Sequence, residues 1–214
     1  MKDIAIYGFG GFGREVACLL NKINNEKPTW NLIGFFDDGV KPGSENRYGM
    51  VLGNLEALNT FPHPLSVIIS IANPKVLKHI AESITNPNID FPNIIATNVN
   101  VFDDNAFSIG KGNIIFWGCR LSCDVVIGNF NLINGAVSLG HDVKLGNWNV
   151  LGPSTRLSGA CTVGEENLFG VESVVLQGIN IGNKTKIGIG SIVIRNTIDN
   201  NFYFGNPAKI MEGQ

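Results

Sequence analysis

From Ile109 onward every sixth residue is apolar: Ile109, Ile115, Leu121, Ile127, Ile133, Leu139, Leu145, Leu151, Leu157, Val163, Phe169, Val175, Ile181, Ile187 and Val193. A chain that is 44% apolar reaches that run in one register about 5 times in a million. The fourth residue after each is uncharged and mostly small or β-branched, as at Cys119, Val137, Thr155, Ser173 and Ser191. A period of six predicts a parallel β-helix of short strands and turns. Asn113, Asn131, Asn149 and Asn167 recur every 18 residues, with Thr185 in the next slot. Three hexads therefore make one coil, and residues 18 apart stack at about 4.8 Å. Stacked asparagines can then hydrogen-bond from coil to coil. Asp103 and Asp199 break the register, which predicts about five coils between Ile109 and Thr197. A rod with flat exposed faces predicts self-association.

The first 95 residues follow other periods. Asp3–Tyr7 reads as a buried strand, and Gly8-Phe-Gly-Gly-Phe-Gly13 follows at once. Val16, Ala17, Leu19, Leu20 and Ile23 then have helical spacing. Asn31–Phe36 and Ser66–Ile71 read as two more strands, and Pro74 opens a helix through Ser83. Strand and helix in alternation predict a parallel α/β sheet, a small Rossmann-like unit.

The glycines at 8, 10 and 13 satisfy G-x-G-x-x-G between a strand and a helix. Such a loop lets a ligand approach the backbone closely and presents N–H groups that suit a phosphate. Asp37 or Asp38, at the end of the second strand, is placed for a ribose or a base edge. The plainer alternative is a tight turn with two strand-end carboxylates. About 95 residues make half of a dinucleotide-binding fold, which favours a smaller nucleotide ligand.

Composition narrows the classes. Charged residues make up 16% of 214 and the formal net charge is −2. The apolar content excludes disorder, and no basic field for nucleic acid is present. No apolar run approaches the roughly 20 residues of a membrane span. Met1 leads straight into a strand, without a signal peptide, so a soluble cytoplasmic protein is expected. Cys18, Cys119, Cys123 and Cys161 form no C-x-x-C pair and are expected to be reduced packing thiols.

Three histidines occur. His63 lies between two prolines and His79 on the helix after Pro74, both as solvated side chains. His141 alone falls within the repeat, in a turn. A turn of this fold has no structural need for a bulky polar residue, and imidazole is a base near neutral pH.

The hexad repeat ending in Gly205-Asn-Pro-Ala-Lys209, the Gly8–Gly13 loop, Phe36-Asp37-Asp38 and the segment Asn134–Asp142 together resemble one family. It is the bacterial sugar acetyltransferases with a Rossmann-like N-terminal domain and a left-handed β-helix. Sialic acid O-acetyltransferases and UDP-4-amino-sugar N-acetyltransferases are among its members. The resemblance implies a nucleotide-binding domain over 1–98 and an acetyltransferase β-helix over 99–214 with a C-terminal tail. It implies acetyl-CoA as donor, no metal, a UDP-4-amino-sugar as acceptor, and a homotrimer with active sites between subunits. His141 is then the general base in a direct attack, with Asp142 beside it and Asn134 near the substrate amine. Gly159, one coil above His141, would leave room for the thioester and offer its N–H to the oxyanion.

Acetyl-CoA would pass Gly170-Val171 and Gly188-Ile189, with Lys184, Lys186, Arg195 and Lys209 as cations for its phosphates. The nucleotide would lie on Gly10, Gly11, Phe12, Gly13, Asp37, Asp38 and Ala72. Two positions depart from the family. Val150 stands where N-acetylating relatives carry a second histidine, and Phe12 where many carry a histidine. Sugar O-acetylation is the alternative activity, and a non-catalytic sugar-nucleotide scaffold the second. A γ-type carbonic anhydrase needs three zinc-binding histidines in the repeat and is excluded.

Overall fold

The structure is a computed structural model and describes residues 1–211; the end of the expected C-terminal tail lies outside them. The N-terminal strands and helices form where the periods place them, as β1 (Lys2–Tyr7), α1 (Gly11–Glu26) and β2 (Trp30–Phe36). Next come β3 (Glu45–Asn46), β4 (Gly49–Gly53) and α2 (Leu55–Asn59), then β5 (Leu65–Ile69), α3 (Pro74–Ser83) and β6 (Ile89–Asp90). The short elements β3, β4, α2 and β6 span too few residues to show a period. Asn54 and Asn73 cap α2 and α3 through their side-chain oxygens, and Pro74 occupies the first turn of α3.

The sheet runs β3-β4-β2-β1-β5-β6. Strands β4, β2, β1, β5 and β6 are parallel, and β3 joins antiparallel at the edge. The chain moves outward from β1 to β2 and β4, then crosses back to β5. Strand order therefore reverses between β1 and β5, where parallel sheets open a crevice at the carboxyl ends of their strands.

The remainder is a solenoid of three parallel ladders. One runs through Ile94–Ile95, Ile114–Ile115, Leu132–Ile133, Val150–Leu151, Leu168–Phe169, Lys186–Ile187 and Phe202–Gly205. A middle ladder runs from Asn100–Val101 to Ile192–Val193, and a third from Ser108–Ile109 to Asn180–Ile181. The solenoid thus exceeds the expected five coils at both ends. Its first coil pairs Ile94 with Ile114 and Asn100 with Arg120, 20 residues apart. The extra length is a turn at Asp103, whose carboxylate accepts from Asn105 N–H at 3.0 Å. At the other end Lys186 pairs with Phe202, 16 residues on. Asp103 and Asp199 mark changes of coil length rather than the ends of the ladder, and residue 98 falls inside the first coil. The chain closes in an antiparallel hairpin of Phe202–Gly205 with Ala208–Ile210.

Inside, the hexad residues form one core, with Ile115, Cys119, Leu121, Ile133, Val137 and Leu151 fully buried. The asparagine column is continuous. Asn131 N–H donates to Asn113 Oδ1 at 2.8 Å, Asn149 N–H to Asn131 Oδ1 at 2.9 Å, and Asn167 N–H to Asn149 Oδ1 at 3.0 Å. Thr185 N–H ends the column on Asn167 Oδ1 at 2.7 Å. Asn93 begins it, hidden from an 18-residue count because it lies 20 before Asn113. A second polar column on the surface links Asn129, Asn147, Glu165, Asn183 and Asp199. Hydrogen bonds to Asn183 hold the Asp199 carboxyl below the usual range. At the corners, every sixth residue from Gly112 to Gly190 has positive φ, including Asp142 at 59° and Trp148 at 54°.

The first ladder is the docked face. A strand's outward residues normally meet water, but Ile114, Leu132 and Val150 are buried here at 1%, 2% and 4% exposure. They pack with Phe116 and Phe130 against β1, α1 and α3 of the N-terminal sheet. Each such side chain contributes about 1.5–3 kcal/mol when fully buried. Val150 is thus packed between the domains, where an imidazole would have to be desolvated.

Candidate active site

The three ladders define three corners. The first, between docked and middle faces, carries Asn134, Gly170, Val171, Gly188 and Ile189. The second, between middle and third faces, carries Cys123, His141, Gly159 and Arg195. The third returns to the docked face through Phe130, Trp148, Glu166 and Lys184.

At the second corner His141, Asp142 and Gly159 come together. Neighbours in sequence need not touch, but the left-handed backbone of Asp142 turns its carboxylate back toward the ring. Asp142 Oδ2 lies 2.7 Å from His141 Nδ1, and both side chains are about half exposed. The far edge of the ring, at Nε2, lies over Gly159, so closely that any Cβ at 159 would meet it. Ala160 N–H donates to His141 O at 2.7 Å and fixes the coil spacing there. Glycine at 159 is what lets the ring lie flat on the coil above. With Asp142 accepting from Nδ1–H, the free lone pair of the imidazole is on Nε2.

Asn134 is not part of this cluster within one chain. It sits a corner earlier, in a mainly apolar cleft of about 200 Å³ lined by Glu15, Phe116, Trp117 and Gly135. Its Oδ1 accepts from Gly135 N–H at 2.8 Å. Gly170, Val171, Gly188 and Ile189 share that first corner, two and three coils above Asn134. Val171 and Ile189 are 39% and 63% exposed. The glycines 170 and 188 meet coil-stacking demands as well, because a Cβ would strike Ile189 N and the Phe204 ring respectively. Arg195 and Lys209 are exposed; Arg195 lies on the second corner, whereas Lys209 is on the closing strand of the docked ladder, two strands from Lys186.

At the carboxyl edge of the N-terminal sheet, Gly8 has φ 114° and stands against Ser70, leaving no room for a Cβ. Ser70 Oγ donates toward Tyr7 O at 2.9 Å and tethers the loop, a role the sequence pattern does not signal. Gly13 packs directly on Gly8 O, whereas Gly10 faces open space and a Cβ at Gly11 would meet only the end of the Arg14 side chain. The carboxylates of Asp37 and Asp38 are engaged in building this edge. Asp37 accepts from Phe9 N–H and Gly39 N–H, both at 2.8 Å. Asp38 accepts from Tyr7 Oη–H at 2.7 Å and from Leu55 N–H at 2.9 Å. Burial, with Asp38 beside it, pushes the Tyr7 phenol far up. Phe12 turns its ring to Phe116, at 5.6 Å between centroids, and so joins the packing between sheet and solenoid. Ala72 is exposed beyond β5.

Among the described residues no helix is long and apolar enough to cross a membrane, and no cluster of three His, Cys, Asp or Glu side chains could hold a metal. Residues 3–84 match the family described as the PglD N-terminal domain. No curated protein sequence matches the chain. Solved structures align over nearly all of the chain. The acetyltransferase domain of PglB from Neisseria gonorrhoeae FA1090, in complex with acetyl coenzyme A, is 25% identical. It covers 98% of this chain and 99% of its own, with a TM-score of 0.88. PerB from Caulobacter crescentus, in complex with CoA and GDP-perosamine, is 25% identical over 99% and 98%, with a TM-score of 0.85. WeeI from Acinetobacter baumannii AYE shares the fold at 24% identity over 99% and 100%, with a TM-score of 0.87.

Proposed function

We propose that the chain is an acetyl-CoA-dependent acetyltransferase that acts on the amine of a nucleotide-linked amino sugar, with His141 as general base. The observation that carries this reading is the His141–Asp142 pair, with its ring seated on Gly159 and Nε2 free. The PglB and PerB complexes support it by the acetyl coenzyme A, CoA and GDP-perosamine they hold.

In the reaction, the sugar amine attacks the thioester carbonyl carbon and His141 Nε2 takes the proton the amine loses. The carbonyl oxygen becomes an oxyanion, for which the N–H of Gly159 is the donor we assign. That N–H donates to no protein acceptor among the described residues. The C–S bond then breaks, and the proton on His141 passes to the departing CoA thiolate. Asp142 steadies the imidazolium between the two transfers.

The N-terminal sheet is, in this reading, a Rossmann-like unit that holds the nucleotide across Gly10, Gly11 and the β1/β5 crevice. Asp37 and Asp38 shape that edge. The solenoid is a left-handed β-helix, and the working form is a homotrimer. One chain places Asn134 beside its own α1 but His141 on the next corner, so a site that uses both is built from two chains. We assign a UDP-4-amino-sugar as acceptor, in surface glycan synthesis in the bacterial cytoplasm. Free-thiol release from acetyl-CoA, measured against a panel of nucleotide-linked 4-amino-sugars with sialic acid for comparison, tests the reading. Turnover on one amino sugar supports it. Turnover on sialic acid alone replaces it with O-acetylation, and silence across the panel overturns it.

A further inference from the structure

We infer that the cleft between α3 and the docked face, ringed by Lys75, Lys184 and Lys186, seats a phosphate group of the nucleotide-linked acceptor. The inference rests on the acetyltransferase reading above and gives its acceptor a second anchor. The cleft has a volume of about 370 Å³, with Leu168 in its wall and Glu166 at its side.

Charge is the first argument. The chain has 16 Lys and Arg against 18 Asp and Glu, yet three lysines converge on one cleft. None of the three has a carboxylate within ion-pairing distance among the described residues. Glu166 is already met by Lys78 at 2.8 Å, and that ammonium also lies over the Trp148 ring at 4.7 Å. Asp199 senses Lys184, but its carboxylate is held by Asn183. Three like charges around an open cleft repel one another until an anion enters. The start of α3 is not the attraction, because Asn73 Oδ1 already accepts from Val76 N–H at 3.2 Å.

Position is the second argument. Asn73, in the cleft wall, caps α3 after the short loop that leaves β5, so the cleft opens at the carboxyl edge where strand order reverses. The Gly10-Gly11 backbone opens at the same edge. A nucleotide lying along it carries phosphates, and lysine ammonium groups bind phosphate as mobile point charges. Lys186 points outward from the docked ladder, one coil above Leu168. This faces it to the sheet that would hold the acceptor, and Lys184 sits on the adjoining corner.

Steady-state kinetics of Lys184→Gln/Lys186→Gln and of Lys75→Gln test the assignment, with circular dichroism as the check on folding. The double variant is expected to raise KM for the nucleotide sugar about tenfold, with kcat and the KM for acetyl-CoA within about twofold of the parent. The parent's KM is also expected to climb with salt, and the variant's to climb less. A rise confined to the KM for acetyl-CoA moves the cleft to the donor and overturns the assignment, as does an unchanged KM for both. Calorimetric titration with inorganic pyrophosphate separates this from the activity itself. Binding by the parent that is lost in the double variant supports the anion site even if no sugar is acetylated. Equal binding by both overturns it.

Discussion

His141 and Asp142 show how one backbone angle decides a contact. In an extended turn the two side chains would diverge, whereas φ of 59° at Asp142 brings its carboxylate within 2.7 Å of Nδ1. Replacing His141 by Ala is expected to lower kcat by about 10²–10⁴, the usual worth of a positioned base. Asp142→Asn keeps a hydrogen-bond acceptor but not the charge. The pair is half exposed, so solvent screens it and the expected loss is only about fivefold. Measured kcat for both variants checks the ranking, and equal losses would mean that Asp142 takes a direct part in the chemistry. Cys119 makes a stability prediction. Burial pushes its thiol up to about 11, and burial raises Cys161 as well. Between about pH 8.5 and 11 the unfolded chain releases the Cys119 proton while the folded chain retains it. Stability therefore falls with rising pH across that window, by up to about 1.4 kcal/mol per unit for the Cys119 thiol, and Cys161 adds in the same direction. Cys119→Val, matched to Val137 in the same column, is expected to flatten the fall in melting temperature from pH 8 to 11.

The elements were legible to the extent that each position answers to a single rule. Every inward hexad residue must be apolar whatever its neighbours, so the register from Ile109 to Val193 can be read directly. The first coil escapes the same reading because the turn at Asp103 adds two residues, and the last because two are missing before Phe202. The docked face escapes it because Ile114, Leu132 and Val150 look like ordinary strand residues until the N-terminal sheet covers them. For the site, spacing gave half the answer. Residues 18 apart stack, so His141 finds Gly159, but residues a hexad apart move to the next corner, so His141 and Asn134 separate. The asparagine column carries the element-scale prediction. Asn149 Oδ1 accepts from Asn167 N–H and Nδ2–H, and its own Nδ2 donates to Asn131 Oδ1 and to Gly164 O. Asn149→Ala leaves several buried groups unpaired at about 1–3 kcal/mol each. A fall in denaturation midpoint of more than about 2 kcal/mol equivalent is expected, with Asn149→Thr intermediate because Thr185 fills the same slot.

At the scale of the whole molecule, the proposed homotrimer makes one chain half a catalyst. The Gly10-Gly11 edge and Asn134 lie on one side of the middle face, and His141 on the other. In the proposed homotrimer a second corner of one chain meets a first corner of the next. Two variants that are each inactive then test the arrangement. Gly10→Asp places a negative charge in open space at the N-cap of α1, where it repels a phosphate without a clash. His141→Ala removes the base. In trimers mixed at random from equal amounts, a site is whole when a chain with an intact loop is followed by one with an intact His141. That order occurs at about a quarter of sites. Co-refolded mixtures are expected to regain about 25% of the parent turnover, while the separate variants stay inactive. A site contained within one chain would give no recovery at any mixing ratio. A solution mass of one chain would rule out the shared site before the mixing is done.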